Sequence, residues 1–155
     1  MRRIPAYLSA LALGGLGAIV PATSAHADNW TCSDNYTAAA YGYMYAYQDH
    51  TCHGGVIGYS NSWDSDWGNS NGPFQGADTN SASSVLNKGS ITVKFFNGTG
   101  QDWDGGYVCL TKNEAYATNI ADNYFTGGGS ISVTDKISSH KWVTNDSCAP
   151  YSWLT

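Results

Sequence analysis

A short phrase occurs twice in this chain and constrains its fold more than any other feature. "TNSASS" begins at Thr79, and "TDKISS" begins at Thr134, 55 residues further on. Each phrase opens with Thr followed by Asn or Asp and closes with Ser-Ser. Such short hydroxyl and amide side chains favour tight turns, because they hydrogen-bond to nearby backbone groups. The repetition therefore predicts two copies of one structural unit.

The segments before the two phrases align as well. Tyr47 aligns with Phe96 and Gly54 with Gly105, so the offset grows from 49 to 51 residues and reaches 55 at the repeated phrases. Loops absorb insertions of this size at little cost, whereas a strand cannot take them without losing its register. Each half is too small to be stable alone, and we therefore expect the two halves to share one core.

Short strands separated by turn residues predict the class of fold. Tyrosines recur at every second position over 41–47, which is the spacing of a strand with one aromatic face. Further short strands are predicted at 91–96, 107–110 and 130–133, and turn sequences such as 127–129 separate them. Hairpin-linked strands with long return connections indicate Greek keys. We therefore predict an all-β sandwich of two Greek-key motifs.

A cleaved signal peptide is predicted ahead of this domain. Arg2 and Arg3 precede an apolar stretch at 8–20, and the small residues Ala25 and Ala27 form a cleavage pattern. The apolar stretch is too short to span a membrane, so we expect a secreted, extracellular protein. The predicted segments are a signal peptide at 1–27 and one domain at 28–155, with Greek key one at about 41–89, Greek key two at about 90–144 and a C-terminal tail at 145–155.

The charge of the predicted mature chain argues against two classes of partner. Without the signal peptide, five lysines stand against 12 acidic residues, which gives a net charge of −7. The lysines are scattered and form no basic stripe along which a phosphate backbone could lie, so we expect no nucleic-acid partner. An acidic surface is also repelled by anionic membranes. We expect a monomer that binds neither.

Four cysteines predict two disulfides. They all lie in the predicted mature chain, at Cys32, Cys52, Cys109 and Cys148. An even count in a small exported protein indicates disulfide pairing, and three connectivities are possible. We favour Cys32–Cys52 and Cys109–Cys148, because this pairing places one disulfide in each half of the repeat. The alternative is a metal site at the "HTCH" sequence of 50–53, although zinc would need further ligands.

These motifs resemble the βγ-crystallin superfamily. The Greek key of this superfamily opens with an aromatic residue, a nearby acid and then aromatic-x-Gly. The segment "YQDHTCHG" at 47–54 fits this pattern, except that Cys52 replaces the second aromatic residue. The segment "FNGTGQDWDG" at 96–105 fits it with two extra residues. The family's later signature matches both repeated phrases at every position but the first, where both have Thr. The chain also resembles small secreted bacterial proteins grouped as peptidase inhibitor family thirty-six, on its "ASSVLN", "ISSHKW" and "GGYVCL" segments. The resemblance spans roughly 43–142.

The resemblance implies a possible calcium site in the repeated turns. Calcium takes six to eight oxygen ligands, and its affinity rises with the charge of the ligands. Because the two phrases offer a single carboxylate, we expect either weak binding, on the order of 10⁻⁴–10⁻³ M, or none, with the phrases only shaping turns. With weak binding, the domain would be a calcium-binding structural or extracellular-stress module; no cofactor is required, and calcium is the possible one. The implied ligands are Asn80, Ser83, Asp135 and Ser138, with Thr79 and Thr134 where the family prefers Asn or Asp.

The resemblance also implies inhibition of an extracellular peptidase. An inhibitor needs a rigid, exposed loop, and the segment 60–73 is the best candidate. In it, Trp63 and Trp67 would anchor a partner, and Asp64 and Asp66 could approach the metal ion of a metalloproteinase. The alternative is that at least one of the two tryptophans folds back onto the sandwich.

An enzyme is not predicted. The chain lacks the G-x-S-x-G and H-E-x-x-H motifs. Asp102 and Asp104 could form a glycosidase-like pair, but a solvated hairpin around Trp103 is the simpler interpretation. Two further binding functions stay open, namely carbohydrate or cell-surface binding through the abundant tyrosines and tryptophans, and an antimicrobial role by analogy with crystallin-like toxins.

Overall fold

The computed structural model describes residues 30–101 and 104–155. The predicted signal peptide lies outside the described residues, as do Asp102 and Trp103. No helix in the described part is both long and apolar enough to cross a membrane. One α-helix and seven β-strands occur in it: α1 Cys32–Ala38, β1 Met44–Tyr47, β2 Val56–Ser60, β3 Ser84–Asn87, β4 Thr92–Phe96, β5 Tyr107–Leu110, β6 Tyr116–Ala117 and β7 Ser139–Val143.

The strands form two antiparallel sheets, and each half of the chain contributes a segment to the sheet of the other half. The first sheet has the order β2-β1-β3-β6 and the second has the order β5-β4-β7. Strand β6 follows β5 in the chain, yet it pairs with β3, with Ala117 opposite Val85. Reciprocally, Asp64 of the first half forms an isolated antiparallel bridge to His140 in β7. Two interlocked Greek keys therefore make the all-β sandwich, as the sequence predicts.

The predicted internal repeat is visible in the backbone. The second residue of each repeated phrase adopts the left-handed conformation, with φ of 56° at Asn80 and 53° at Asp135. Asn and Asp tolerate this conformation better than most other side chains. The aligned glycines also have matching surroundings, because a Cβ on Gly54 would lie 2.4 Å from an oxygen of Asp49, and one on Gly105 would lie 2.0 Å from a backbone oxygen. Both hairpins therefore require glycine for close approach.

The main hydrophobic core lies between the two sheets. Alternate strand residues point inwards, so Met44 and Ala46 of β1 are fully buried there. Phe95 of β4 faces them from the other sheet, and Trp67 and Phe74 from the loop after β2 complete the aromatic part of the core. The predicted tyrosine face of the first strand consequently points away from this core.

Each sheet also carries a smaller cluster on its outer face, and a disulfide ties down the segment that covers it. Cys32–Cys52, with a Cα–Cα distance of 4.9 Å, holds α1 over the outer face of the first sheet. Cys109–Cys148, with a Cα–Cα distance of 6.4 Å, holds the C-terminal tail over the second. The favoured pairing is therefore confirmed. The alternative metal site at 50–53 is wrong, because the Cys52 sulfur is bonded to Cys32.

Two details of the predicted secondary structure are wrong. Helix α1 was not predicted, and its start is fixed by a capping box in which the Thr31 hydroxyl accepts from the Asp34 N–H at 3.4 Å and the Asp34 carboxylate accepts from the Thr31 N–H at 2.9 Å. The strand predicted at 130–133 contains only one bridge, from Ser132 to Tyr124. The preceding glycines explain this difference, since Gly127 and Gly129 both have positive φ and keep the segment in turns.

Candidate functional site

The two repeated phrases lie side by side, and we call residues 79–84 and 134–139 the paired turns. The N–H of Asn80 donates to the carbonyl of Ile137, and the N–H of Asp135 donates to the carbonyl of Ala82, both at 2.9 Å. These are equivalent positions of the repeat, so each turn is held by the other. The chain carries the phrase twice because the two turns complete one another.

The predicted calcium ligands also meet across the paired turns. The hydroxyl of Ser138 donates to the side-chain oxygen of Asn80 at 2.9 Å, and the hydroxyl of Ser83 donates to the carboxylate of Asp135 at 3.4 Å. Thr134 also donates to the Ser83 hydroxyl, at 3.4 Å. The predicted ligands therefore form two pairs of oxygen atoms, of which one is neutral and one contains a carboxylate.

The carboxylate-containing pair opens onto a polar cavity of about 360 Å³. Asp49 and Asp135 both contribute to its lining, and a hard cation such as Ca²⁺ prefers an oxygen-rich environment of this kind. The described residues contain no group of three or more His, Cys, Asp or Glu side chains that could hold a metal ion. A calcium ion would therefore need hydroxyl, amide and backbone oxygens as well. The full lining is Gln48, Asp49, Asn80, Ser81, Ser83 and Asp135.

Thr79 is directed away from this set of oxygens. Its methyl group lies beside the backbone of Gly68, where a Cβ would be only 3.1 Å from it. Its carbonyl accepts a hydrogen bond from the Ser81 hydroxyl at 3.2 Å. The contacts of Thr79 are those of a residue that shapes the turn.

The second predicted site, residues 60–73, differs from an exposed loop at two positions. Trp67 is 0% exposed and Asp64 is 6% exposed, so the prediction that they contact a partner is wrong. Trp67 stacks on Phe74 with the ring centroids 3.9 Å apart and meets Phe95 edge-on. The alternative, that at least one of the two tryptophans folds back onto the sandwich, is confirmed for Trp67.

Asp64 fixes the shape of this loop from inside. One of its carboxylate oxygens accepts from the N–H of Asp66 at 3.0 Å, and the other accepts from the N–H of Phe74 at 3.4 Å. Its backbone exchanges two hydrogen bonds with His140 at 3.1 and 2.8 Å. Asp66 in turn accepts from the N–H of Gly68 at 2.8 Å. The carboxylates of Asp64 and Asp66, which were predicted to approach the metal ion of a metalloproteinase, are therefore both engaged in local hydrogen bonds.

Trp63 is the part of the predicted site that reaches solvent. Its side chain is 62% exposed, and it lines a groove of about 370 Å³ together with Trp142. We call residues 60–73 the Trp63 loop, and we call this depression the β7 groove. The described residues lining the β7 groove are Ser62, Trp63, Gln101, Lys141 and Trp142.

His140 anchors the Trp63 loop, a role that no sequence motif indicates. The indole N–H of Trp67 donates to Nδ1 of His140 at 2.9 Å. Because Nδ1 is the acceptor, Nε2 carries the proton and donates to the carbonyl of Ser62, also at 2.9 Å. Burial lowers the pKa of His140 to about 4, against the smaller opposing effect of the Ser62 hydrogen bond. The imidazole is therefore neutral at physiological pH and bonds to the loop on both sides.

Comparison with known proteins finds similarity only to solved structures. No protein-family model and no curated protein matches the chain. Among solved structures, a βγ-crystallin from Ciona intestinalis is 20% identical over 66% of this chain and 100% of its own, with a TM-score of 0.47. A structure concerned with the evolution of the eye-lens βγ-crystallin domain fold is 19% identical over 68% of this chain and 89% of its own, with a TM-score of 0.48.

Both likenesses are too distant to carry an argument about this chain, so its architecture rests on its own strand pairing. The fold is an all-β sandwich of two interlocked Greek keys. In this sandwich, the paired turns lie where the two Greek keys meet, and the Trp63 loop is the segment that the first key sends to the second sheet. The resemblance to the bacterial peptidase inhibitor family is not confirmed and stays a prediction.

Proposed function

We propose that this protein is an extracellular binding module whose Trp63 loop holds a partner protein, and that the first partner to consider is an extracellular peptidase. The observation that supports the proposal is the position of Trp63. Its side chain is 62% exposed, while Asp64 directly after it is buried. Exposed tryptophans are frequent anchors in protein interfaces, because they bury a large area with few rotatable bonds.

The internal hydrogen bonds of the Trp63 loop support the same proposal. Affinity for a partner rises when a loop is already ordered before binding, because less conformational entropy is lost. Here Trp67 and Asp64 bond to His140, and the Ser62 carbonyl before Trp63 accepts from both His140 and Trp142, at 2.9 and 3.0 Å. The residues on both sides of Trp63 are therefore fixed to β7.

Titration of the mature protein, 28–155, into peptidases tests this proposal. A thermolysin-like metallopeptidase and a subtilisin-like serine peptidase represent the two main extracellular classes. We expect stoichiometric loss of activity in one of them, and Trp63→Ala is expected to weaken inhibition about tenfold or more. Tyr124→Ala is the matched control, because Tyr124 is 56% exposed and does not belong to the loop. Full peptidase activity at a molar excess of intact protein would reject inhibition.

Calcium binding at the paired turns is a second candidate function. The observation that favours it is the pairing of Ser83 with the carboxylate of Asp135 on the polar cavity of about 360 Å³. The equivalent pair, Ser138 with Asn80, is neutral and has the shorter hydrogen bond, 2.9 against 3.4 Å. We therefore assign the stronger calcium affinity to the Ser83–Asp135 pair, on the order of 10⁻⁴–10⁻³ M as in extracellular modules.

A further inference from the structure

A cavity of about 530 Å³ lies between α1 and the hairpin that joins β1 to β2, and we call it the Trp30 cavity. Two contacts hold these elements together, because the Cys32–Cys52 disulfide bridges them and the side-chain N–H of Asn35 donates to the carbonyl of Cys52 at 3.0 Å. The cavity is larger than the β7 groove and has the size of a small-ligand site, for which about 300–1,000 Å³ is usual. Its described lining includes no residue of the Trp63 loop or of the paired turns.

Large apolar side chains form the walls of the Trp30 cavity. Trp30 and Val56 are each about half exposed, so both present apolar surface to a ligand. Tyr47 is buried, and burial raises the pKa of Tyr47 to about 12, so its phenol is uncharged at physiological pH. No Asp, Glu, Lys or Arg occurs among the described lining residues, and the carboxylate of Asp49 lies beside Gly54 just outside them. The cavity therefore favours an uncharged ligand and disfavours an anion.

One polar atom beside the Trp30 cavity lacks a hydrogen-bond partner. The hydroxyl of Thr51 donates to the carbonyl of His50 at 2.6 Å, so towards Nδ1 of His53, 3.3 Å away, its oxygen acts as an acceptor. The proton of the neutral imidazole therefore lies on Nδ1, and Nε2 of His53 is an acceptor. Nε2 is buried and has no partner among the residues that the structure describes. Such an acceptor is costly to leave unpaired, so a ligand that donates to it gains affinity.

The imidazole of His53 has room to turn this nitrogen into the Trp30 cavity. His53 lines the cavity, and within the described residues its side chain makes one hydrogen bond, the contact of 3.3 Å with Thr51. A bond of this length is weak and resists a rotation of the ring only slightly. The backbone beside it leaves space as well, since a Cβ on Gly55 would meet no atom within 4 Å.

The small number of polar groups indicates which uncharged ligand fits. A sugar carries several hydroxyl groups, and each of them loses its hydration when the ring is enclosed. The described lining offers few polar side chains in return, namely Asn35, Tyr47 and His53, and Asn35 already donates to Cys52. An apolar ring with one hydroxyl group matches the one unpaired acceptor without leaving further polar groups unsatisfied.

We propose that the Trp30 cavity binds a small, uncharged aromatic alcohol, a phenol, as a free molecule. The ring of the ligand lies against Trp30 and Tyr47, and its hydroxyl donates to Nε2 of His53. Aromatic pairs of this kind contribute affinity beyond the area that they bury. The cavity is separate from the Trp63 loop, so the inference goes beyond the proposed function and does not depend on it.

Titration of the intact predicted mature protein, 28–155, at about pH 8 tests the inference, since this pH favours neutral imidazole. The probe is para-cresol. Its methyl ether is the matched control, because it has the same ring and cannot donate a hydrogen bond, and methyl β-glucoside represents sugars. The readouts are the indole N–H signal of Trp30 and the Nε2 signal of His53 in nuclear magnetic resonance spectra. We expect para-cresol to shift both signals, and the ether to bind about fivefold to tenfold more weakly.

Variants of the protein separate the hydrogen bond from the ring contact. His53→Phe keeps a ring without the acceptor, and we expect it to bind para-cresol and the ether equally. His50→Phe is the matched control at an exposed histidine outside the described lining, and it should keep the difference. Trp30→Ala should weaken both ligands about threefold to tenfold, whereas Tyr124→Ala should change neither. The amide spectrum of each variant shows whether it is folded, and if His53→Phe is not, the Nε2 signal of the wild type decides.

Three results would overturn the inference. The first is equal binding of para-cresol and its ether to the wild type, which would mean that no hydrogen bond is formed. The second is an unmoved Trp30 signal, or an unmoved His53 Nε2 signal, at millimolar para-cresol. The third is tighter binding of the glucoside than of para-cresol, which would assign the Trp30 cavity to sugars instead.

Discussion

The indole N–H of Trp67 donates a hydrogen bond of 2.9 Å to Nδ1 of His140, and this bond connects residues 73 positions apart in the chain. Both side chains are fully buried. His140 lies in the sheet and Trp67 lies in the loop, so the bond fixes the loop to the sheet from inside. As a result, Trp63, only four residues before Trp67, faces solvent from a fixed position.

Acid should destabilise the protein through His140. The folded-state pKa of about 4 lies below the ordinary value of 6.5, so the unfolded chain takes up the proton first as the pH falls. Stability is therefore fully present above about pH 6.5 and is lost towards pH 4, by up to about 3 kcal/mol. Urea unfolding at a series of pH values measures this loss.

A variant isolates the histidine contribution from that of the carboxylates. His140→Gln is expected to be less stable at pH 7, because glutamine cannot accept from Trp67 and donate to Ser62 in the same geometry. Its free energy of unfolding should also change less between pH 6.5 and 4 than that of the wild type. An identical pH slope in the two proteins would contradict the assignment.

Truncation of the two tryptophans of the Trp63 loop should affect the free energy of unfolding very differently. Trp67→Ala removes a fully buried ring from the core, and we expect a loss of about 3–5 kcal/mol in the free energy of unfolding. Trp63→Ala removes an exposed ring, and we expect a change within about 0.5 kcal/mol. Denaturant unfolding of both variants checks the pair. A large loss at Trp63 would mean that its ring packs against the sandwich.

Calcium should stabilise the protein through Asp135. At a calcium concentration ten times the dissociation constant, binding adds about 1.4 kcal/mol to the free energy of unfolding and raises the melting temperature. Asp135→Asn should abolish this rise, and asparagine is the matched replacement because it keeps the shape and tolerates the positive φ at this position. Calorimetry with calcium, with magnesium and with a chelator measures the effect.

A gain of affinity provides the complementary calcium experiment. Asn80→Asp gives the second oxygen pair the carboxylate that it lacks, and we expect tighter binding or a second bound ion. The same thermal response to calcium in the wild type and in Asp135→Asn would place any bound ion elsewhere.

Each disulfide should stabilise the fold by a similar amount. The bonds close segments with sequence separations of 20 and 39 residues, for which the chain-entropy model gives about 3–4 kcal/mol each. The double variants Cys32→Ala with Cys52→Ala, and Cys109→Ala with Cys148→Ala, remove them one at a time. Unfolding measurements on both variants test the estimate, and a loss below about 1 kcal/mol in either would show that its covering segment folds without the bond.

The fold could be predicted because its signals are local. The repeated phrase places Asn80 and Asp135 where a left-handed backbone is needed, and Gly54 and Gly105 mark equivalent close approaches. Helix α1 also has a local signal, the Thr31 capping box, and it ends before the tyrosine pattern of 41–47 begins. With seven residues, the helix is too short for an apolar period to reveal it.

The site could be predicted only in part, because burial depends on distant partners. Nothing near Trp63 and Trp67 in the sequence distinguishes the exposed ring from the buried one. That difference arises from His140 and Phe74, which become neighbours of Trp67 only in the folded chain. The contacts across the paired turns could be anticipated as a repeat, whereas the reciprocal bonds of Ser83 and Ser138 required the fold.

The indole N–H signals of the predicted mature protein, 28–155, recorded during titration with an inhibited peptidase, test the central claim most directly. The claim is that Trp63 contacts the partner from a loop that Trp67 holds in place. It predicts that the Trp63 indole signal shifts or broadens as the complex forms, while the Trp67 signal keeps its position and its slow exchange with solvent. A complex that leaves the Trp63 signal unchanged, or that releases Trp67 from His140, would contradict it.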